Sequence, residues 1–228
     1  MRSPTMPDDP RPRVPGYALG EELGCGGFAR VWAAVRTGDG ATAAIKVSHI
    51  AGRDTERRFA REGQALDAVG PPAAPALHRT GVLDDGRPYL VMERIAGIAL
   101  SSHPGRRDSG RAIPAQRWIA ATSSQILQAL HRVHERGLVH LDIKPQNILY
   151  VAADHELTAR CVLIDFGLSR LASAATRDPA ERSELTPDSG ADLVFGSLEY
   201  LAPERLTGQH ASDRRTDLYS FGVLLYEL

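Results

Sequence analysis

The stretch "VHLDIKPQNILY", residues 139–150, decides how this chain is read. It sets His140, Asp142, Lys144 and Asn147 within a dozen positions, between apolar runs with the length and composition of short strands. Such a set is either a solvated polar turn or a loop that does chemistry. In the second case Asp142 orients an attacking hydroxyl or accepts its proton, and Lys144 neutralises charge on the group in transit. Leu141 is the apolar residue between His140 and Asp142, so the company of the loop elsewhere in the chain has to decide.

A chain of 228 residues fits one large domain or a two-lobed one and can bury a substantial core. Its hydrophobic content of 43% and charged content of 24% are those of a soluble globular protein. A net charge of -1 supplies no global field toward nucleic acid or an anionic membrane, so partners must be argued from local sites. Cys25 and Cys161 are spaced for neither a disulfide framework nor a zinc site, which suits a reducing, cytoplasmic setting, and both read as small semi-buried side chains. No apolar run reaches membrane-spanning length, and "MRSPTMPDDPRPRVPGY" lacks the core of a signal peptide. Its proline and charge instead make residues 1–15 a disordered leader. Of the 27 Lys plus Arg, only Lys46 and Lys144 are lysines. A chain that otherwise uses arginine keeps lysine where a compact ammonium is needed, or by chance.

Upstream, residues 17–50 alternate as an antiparallel meander: "YALGEEL", a glycine cluster, "ARVWAAV", the turn "TGDG" and "ATAAIKV". "TERRFAREGQALDAV" has Phe59, Leu66 and Val69 on one helical face. Asp85-Gly86 predicts a second hairpin between "LHRTGVL" and "RPYLVME". After a polar loop, Pro114 opens a helix through Trp118, Ile126, Leu130 and Val133, capped by Gly137. Residues 171–194 are polar and aperiodic, and "RTDLYSFGVLLYEL" ends the chain as an apolar helix.

Three further motifs keep the opening loop company. "LGCGGFARV", residues 23–31, sets Gly24, Gly26 and Gly27 between two strands, where backbone amides can approach phosphate oxygens, although an ordinary glycine-rich hairpin reads the same. Its strand-to-strand setting excludes a dinucleotide fingerprint, and no Gly-Lys-Ser/Thr follows to make a P-loop. "AAIK" turns Lys46 to the face of Ala44, away from Ile45 and Val47. Glu62 on the next helix is the best carboxylate to hold that lysine, with Glu56 the alternative. "DFG", residues 165–167, leaves Asp165 at a strand end, where with Asn147 it offers oxygen ligands suited to Mg²⁺.

In this order, glycine loop, strand lysine, helix glutamate, "HLDIKPQN", "DFG" and "LAPE", the chain resembles the protein kinase family, and more closely the bacterial eukaryotic-type Ser/Thr kinases, from Tyr17 to its last residue. The resemblance implies an α+β, two-lobed fold: an N-lobe of antiparallel sheet plus one helix over about 16–95, and a mainly helical, incomplete C-lobe over about 96–228. It implies an ATP- and Mg²⁺-dependent transfer of the γ-phosphoryl group to Ser/Thr hydroxyls of protein substrates. Leu23, Gly24, Cys25, Gly26 and Gly27 would cover the phosphates, and Lys46, held by Glu62, would pair the α- and β-phosphates. Val31, Ala44, Met92 and Leu149 would line the adenine pocket, with Glu93 to Ile95 as hinge. Asp142 would be the catalytic aspartate, Lys144 its assistant, and Asn147 and Asp165 the metal ligands. Ser197 would dock substrate, and Asp217 would anchor the catalytic loop above a pedestal from Tyr219 to Leu228.

The departures from the pattern also carry expectations. Ala29 stands at the usual third glycine, a mild change. Leu141 stands where an arginine usually meets a phosphorylated activation loop, so phosphorylation of Thr176, Ser183, Thr186 or Ser189 should not switch activity by that route. The family's C-lobe runs past Leu228, which leads us to expect a fragment of a longer kinase, with "YSFGVLLYEL" exposed and Glu204 short of its partner. Two other functions compete: an ATP-binding scaffold with weak or no catalysis, and a small-molecule kinase of the antibiotic-phosphotransferase type.

Overall fold

A computed structural model describes residues 11–103, 115–152, 159–171, 198–207 and 213–228. Pro114, Ser197 and the four candidate phosphorylation sites lie outside the described residues. Contacts divide the chain into two units, one running to Ala60 and resuming over Leu77–Arg94, the other formed by Arg61–Ala76 and Ile95–Leu228.

The first unit is built on a five-stranded sheet of order β1-β2-β3-β5-β4, with every pair antiparallel. The strands are β1 (Tyr17–Cys25), β2 (Ala29–Arg36), β3 (Thr42–Ser48), β4 (Leu77–Val82) and β5 (Pro88–Met92). The expected meander and second hairpin are both present, and Gly86 supplies the positive φ of 82° at the β4–β5 turn. Alternation along the strands gives the sheet two different faces. Trp32, Ala34, Ala43, Ile45, Val47, Tyr89 and Val91 fill an apolar core on one side, while the register sets Val31 opposite Lys46 and Ala44 opposite Met92 on the other. Val14 belongs to that core at 4% exposure, and the Pro15 carbonyl accepts a bond from Arg79 Nη2 at 2.7 Å. The stretch expected to be a disordered leader through residue 15 is therefore packed against the sheet by its end, because one valine in a charged run finds an apolar face to bury.

Helix α1 (Arg53–Val69) starts in the first unit and ends in the second. The second unit contains α2 (Ala115–Glu135), which buries Trp118, Ile126, Leu130 and Val133 as its periodicity predicts. Gly137, at φ 70°, donates its N–H back to the His134 carbonyl and closes the helix in a left-handed cap. The short strands β6 (Ile98–Ala99), β7 (Leu138–Val139), β8 (Ile148–Val151), β9 (Arg160–Leu163) and β10 (Arg170–Leu171) form two small sheets, β6-β8-β9 and β7-β10. Two helices follow, α3 (Pro203–Thr207) and α4 (Arg214–Glu227). Asp213 caps α4 by accepting the Arg215 N–H at 2.7 Å. The α+β class expected from the sequence is what the chain adopts. Among the described residues, no helix is long and apolar enough to cross a membrane.

Candidate active site

The decisive stretch lies between β7 and β8 and is wired into itself. Lys144 Nζ donates to both Asp142 carboxylate oxygens, at 3.1 and 2.8 Å. Asn147 Nδ2 donates to Asp142 Oδ2 at 2.7 Å and to the Asp142 carbonyl at 2.9 Å. The turn is possible because Pro145 opens a single 3-10 turn that swings Asn147 back over the aspartate. The side chains of Lys144 and Asn147 thus converge as donors on one carboxylate. With its Nδ2 committed to Asp142, Asn147 has its carbonyl oxygen as the atom to offer elsewhere.

Behind this loop stands Asp217, fully buried on α4. Its carboxylate accepts the N–H groups of His140 at 2.9 Å and Leu141 at 2.8 Å, and His134 Nε2 lies 2.8 Å from Oδ2. Leu141 is buried and left-handed, at φ 68°, an arrangement that persists only where the surroundings over-determine it. The His140 ring packs against Phe166 with centroids 4.6 Å apart, and its Nδ1 accepts the Asp142 N–H at 3.3 Å. Asp165, which precedes Phe166, is also left-handed, at φ 64°, and exposed. Leu149 sits half-buried on β8, and Ile95 is likewise half-buried. Glu62 is 3% exposed and falls on the same α1 stripe as Phe59, Leu66 and Val69, whereas Glu56 is exposed. A carboxylate in the apolar stripe of a helix needs polar company.

In the first unit, Ala44, Met92, Val31 and Lys46 share the sheet face opposite the core, with Glu93 half-buried just after β5. Leu23, Gly24, Cys25, Gly26 and Gly27 are all exposed at the β1–β2 turn. None of the three glycines is left-handed, and a Cβ built on Gly24 or Gly27 meets nothing within 4 Å. The fold itself does not demand glycine there. The loop is tied down from the residue after β3, since the His49 N–H donates to the Phe28 carbonyl at 3.0 Å and His49 Nε2 lies 2.8 Å from the Gly26 carbonyl oxygen. Arg58 of α1 stacks over the Phe28 ring at 4.0 Å.

Two expectations are corrected. Cys25 is exposed, not semi-buried, while burial pushes the Cys161 thiol up to about 12. Glu204 accepts a bond from Thr216 Oγ1 at 2.7 Å, where α3 and α4 meet. The pedestal is narrower than the whole run from Tyr219: Phe221 and Leu224 are buried on one face of the helix, but Tyr226 is 92% exposed on another. His134, His49 and Arg205, whose Nη1 donates to the Leu141 carbonyl at 2.6 Å, were given no role from the sequence. Each is a lone polar residue without a spacing signature, and its partner lies far away along the chain.

Comparison with known proteins agrees with this arrangement. The family model for the protein kinase domain matches residues 17–228. A Streptomyces coelicolor protein named "Probable serine/threonine-protein kinase" is 35% identical over 97% of this chain and 31% of its own length. A serine/threonine-protein kinase of Myxococcus xanthus is 35% identical over 90% of this chain and 23% of its own, and PknB of Mycobacterium tuberculosis is 32% identical over 93% and 32%. The chain spans about a third or less of the length of these relatives. Matched by the family model from residue 17 to residue 228, the chain belongs to the protein kinase family and resembles its bacterial serine/threonine members.

Proposed function

We propose that the chain transfers the γ-phosphoryl group of ATP to Ser or Thr hydroxyls of proteins. The observation that carries this reading is the Asp142 carboxylate held by Lys144 and Asn147 on a loop anchored through Asp217. The acceptor hydroxyl oxygen attacks the γ-phosphorus, the bond to the β–γ bridging oxygen breaks, ADP departs and Asp142 takes the hydroxyl proton. Lys144 places positive charge beside the phosphoryl group as it passes. Lys46 grips the α- and β-phosphates under the glycine loop, whose backbone amides complete the cradle. Oxygen donors fit magnesium, and Asn147 through its carbonyl oxygen and Asp165 through its carboxylate would hold it. Bound there, the ion neutralises phosphate charge. Val31, Ala44, Met92 and Leu149 offer apolar contact to adenine, and Ser197 a hydroxyl to the docked substrate. Use of ATP and two free cysteines favour a cytoplasmic setting for this domain.

To test this, the purified chain is given γ-labelled ATP, Mg²⁺ and a generic protein acceptor, and the labelled amino acids are separated. Phosphoserine and phosphothreonine are expected. Label on phosphotyrosine alone, label only on small-molecule hydroxyls, or ATP binding without transfer would each overturn the assignment, the last in favour of a scaffold.

The loop supplies two further expectations. Gly24→Ala and Gly27→Ala should keep or slightly raise thermal stability, since the new methyl has open space and the unfolded chain loses freedom. They should nevertheless raise KM for ATP about fivefold, roughly the worth of one hydrogen bond to phosphate. Unchanged KM in both would remove the loop from nucleotide binding. With a maleimide, Cys25 should label in the native chain and Cys161 only on unfolding, and Mg-ATP should slow the Cys25 reaction. Equal labelling of the two cysteines, or no ATP protection, would count against this placement of the loop.

A further inference from the structure

We propose that Arg205 is a positioning residue for Asp142, clamping the residue before it by its carbonyl while Asp217 holds that residue's N–H. Leu141 is gripped at both polar ends. Its N–H donates to Asp217 Oδ1 at 2.8 Å, and its carbonyl accepts Arg205 Nη1 at 2.6 Å from the short helix α3. An anion therefore holds the donor and a cation holds the acceptor of one buried, left-handed residue. A left-handed leucine relaxes unless its peptide groups are fixed, and relaxation at 141 would rotate the next residue, Asp142.

The guanidinium also lies within electrostatic reach of the Asp142, Asp217 and Glu204 carboxylates. Burial, and then the like charge of Arg170, pull the Arg205 pKa below the ordinary arginine value, while those carboxylates push it back. An arginine stays charged even so, which suits it to a permanent clamp. Side-chain cation is missing at Leu141 itself, and α3 delivers one to the same residue's backbone. The catalytic loop is then set by charges within the fold, so its geometry requires no modification of another segment.

This inference rests on the kinase reading for its catalytic consequence and on geometry alone for the clamp. The test compares the whole chain with Arg205→Lys, Arg205→Gln and Arg205→Leu. The Leu variant should lose about ten- to a hundredfold in kcat, the worth of one charged hydrogen bond. Gln should fall between, Lys should stay nearest the parent, and KM for ATP should hold within about twofold. Deuterium exchange over residues 138–144 should speed up in the same order while exchange in α2 is unchanged. Unchanged exchange over 138–144 in the Leu variant, or equal losses in all three variants regardless of charge, would overturn the clamp. If the Leu variant fails to fold, Lys against Gln gives the comparison. A parent chain that transfers no phosphate would sink the kinase reading, and the exchange measurement would then decide the clamp alone.

Discussion

Asp142→Asn is expected to lower the rate of phosphoryl transfer by about two to four orders of magnitude, the usual worth of a positioned proton acceptor. The carboxamide has nearly the same shape, so the loop keeps its course through Asp217 and the Pro145 turn. What changes is charge. An amide can turn its oxygen toward Lys144 Nζ and Asn147 Nδ2, which now reach the carboxylate at 2.8 and 2.7 Å, but its other atom is then a donor. No basic oxygen is left for the incoming hydroxyl. ATP affinity should hold within about threefold, because the residue acts on the acceptor side of the reaction. Melting temperature should fall by no more than about 5 °C, since Lys144 retains partial access to water. A variant with normal kcat would remove Asp142 from the chemistry, and one that loses ATP binding in step with rate would make it a structural residue.

Asp217→Ala should cost about 3–5 kcal/mol of stability. The carboxylate is fully buried and takes two backbone N–H groups, with the His134 ring beside it. Alanine leaves those donors buried with no acceptor, and it releases the left-handed Leu141 from the anion that fixes its N–H. Against a total stability of about 5–15 kcal/mol, such a loss lowers the urea midpoint sharply or leaves the second unit unfolded. Asp217→Asn, which keeps one acceptor oxygen, should fall in between. A midpoint for Asp217→Ala indistinguishable from the parent would show that the loop does not depend on this anchor.

Much of this was legible in the sequence because the signals are local. Alternation in "ATAAIKV" puts Lys46 and Ala44 on one face of β3, and the register with β2 and β5 adds Val31 and Met92 to it. The 3.6-residue period locates α1 and α2, and Gly137 marks where α2 stops. The apolar stripe of α1 also contained a usable signal, since Glu62 interrupts Phe59, Leu66 and Val69 and is buried with them. What escaped depends on contacts across the chain. Nothing near Arg205 announces that its guanidinium ends at Leu141, 64 residues earlier, or that Thr216 donates a bond to Glu204. Val14 escaped for the opposite reason: proline and charge dominate its neighbourhood, and one buried side chain is too small a signal to outweigh them. Cys25 reads the same buried or exposed until the end of β1 is placed at an open turn.

The central claim is that this chain moves the γ-phosphoryl group of ATP onto protein hydroxyls by means of Asp142. Intact-mass measurement of the purified chain and of Asp142→Asn, each incubated with Mg-ATP at matched fold stability, tests it most directly. Whole phosphoryl increments on Ser or Thr of the parent, absent from the Asp142→Asn chain, are the predicted result. A parent that binds ATP but gains no mass and phosphorylates no protein supplied with it, or a variant that gains as much as the parent, would contradict it.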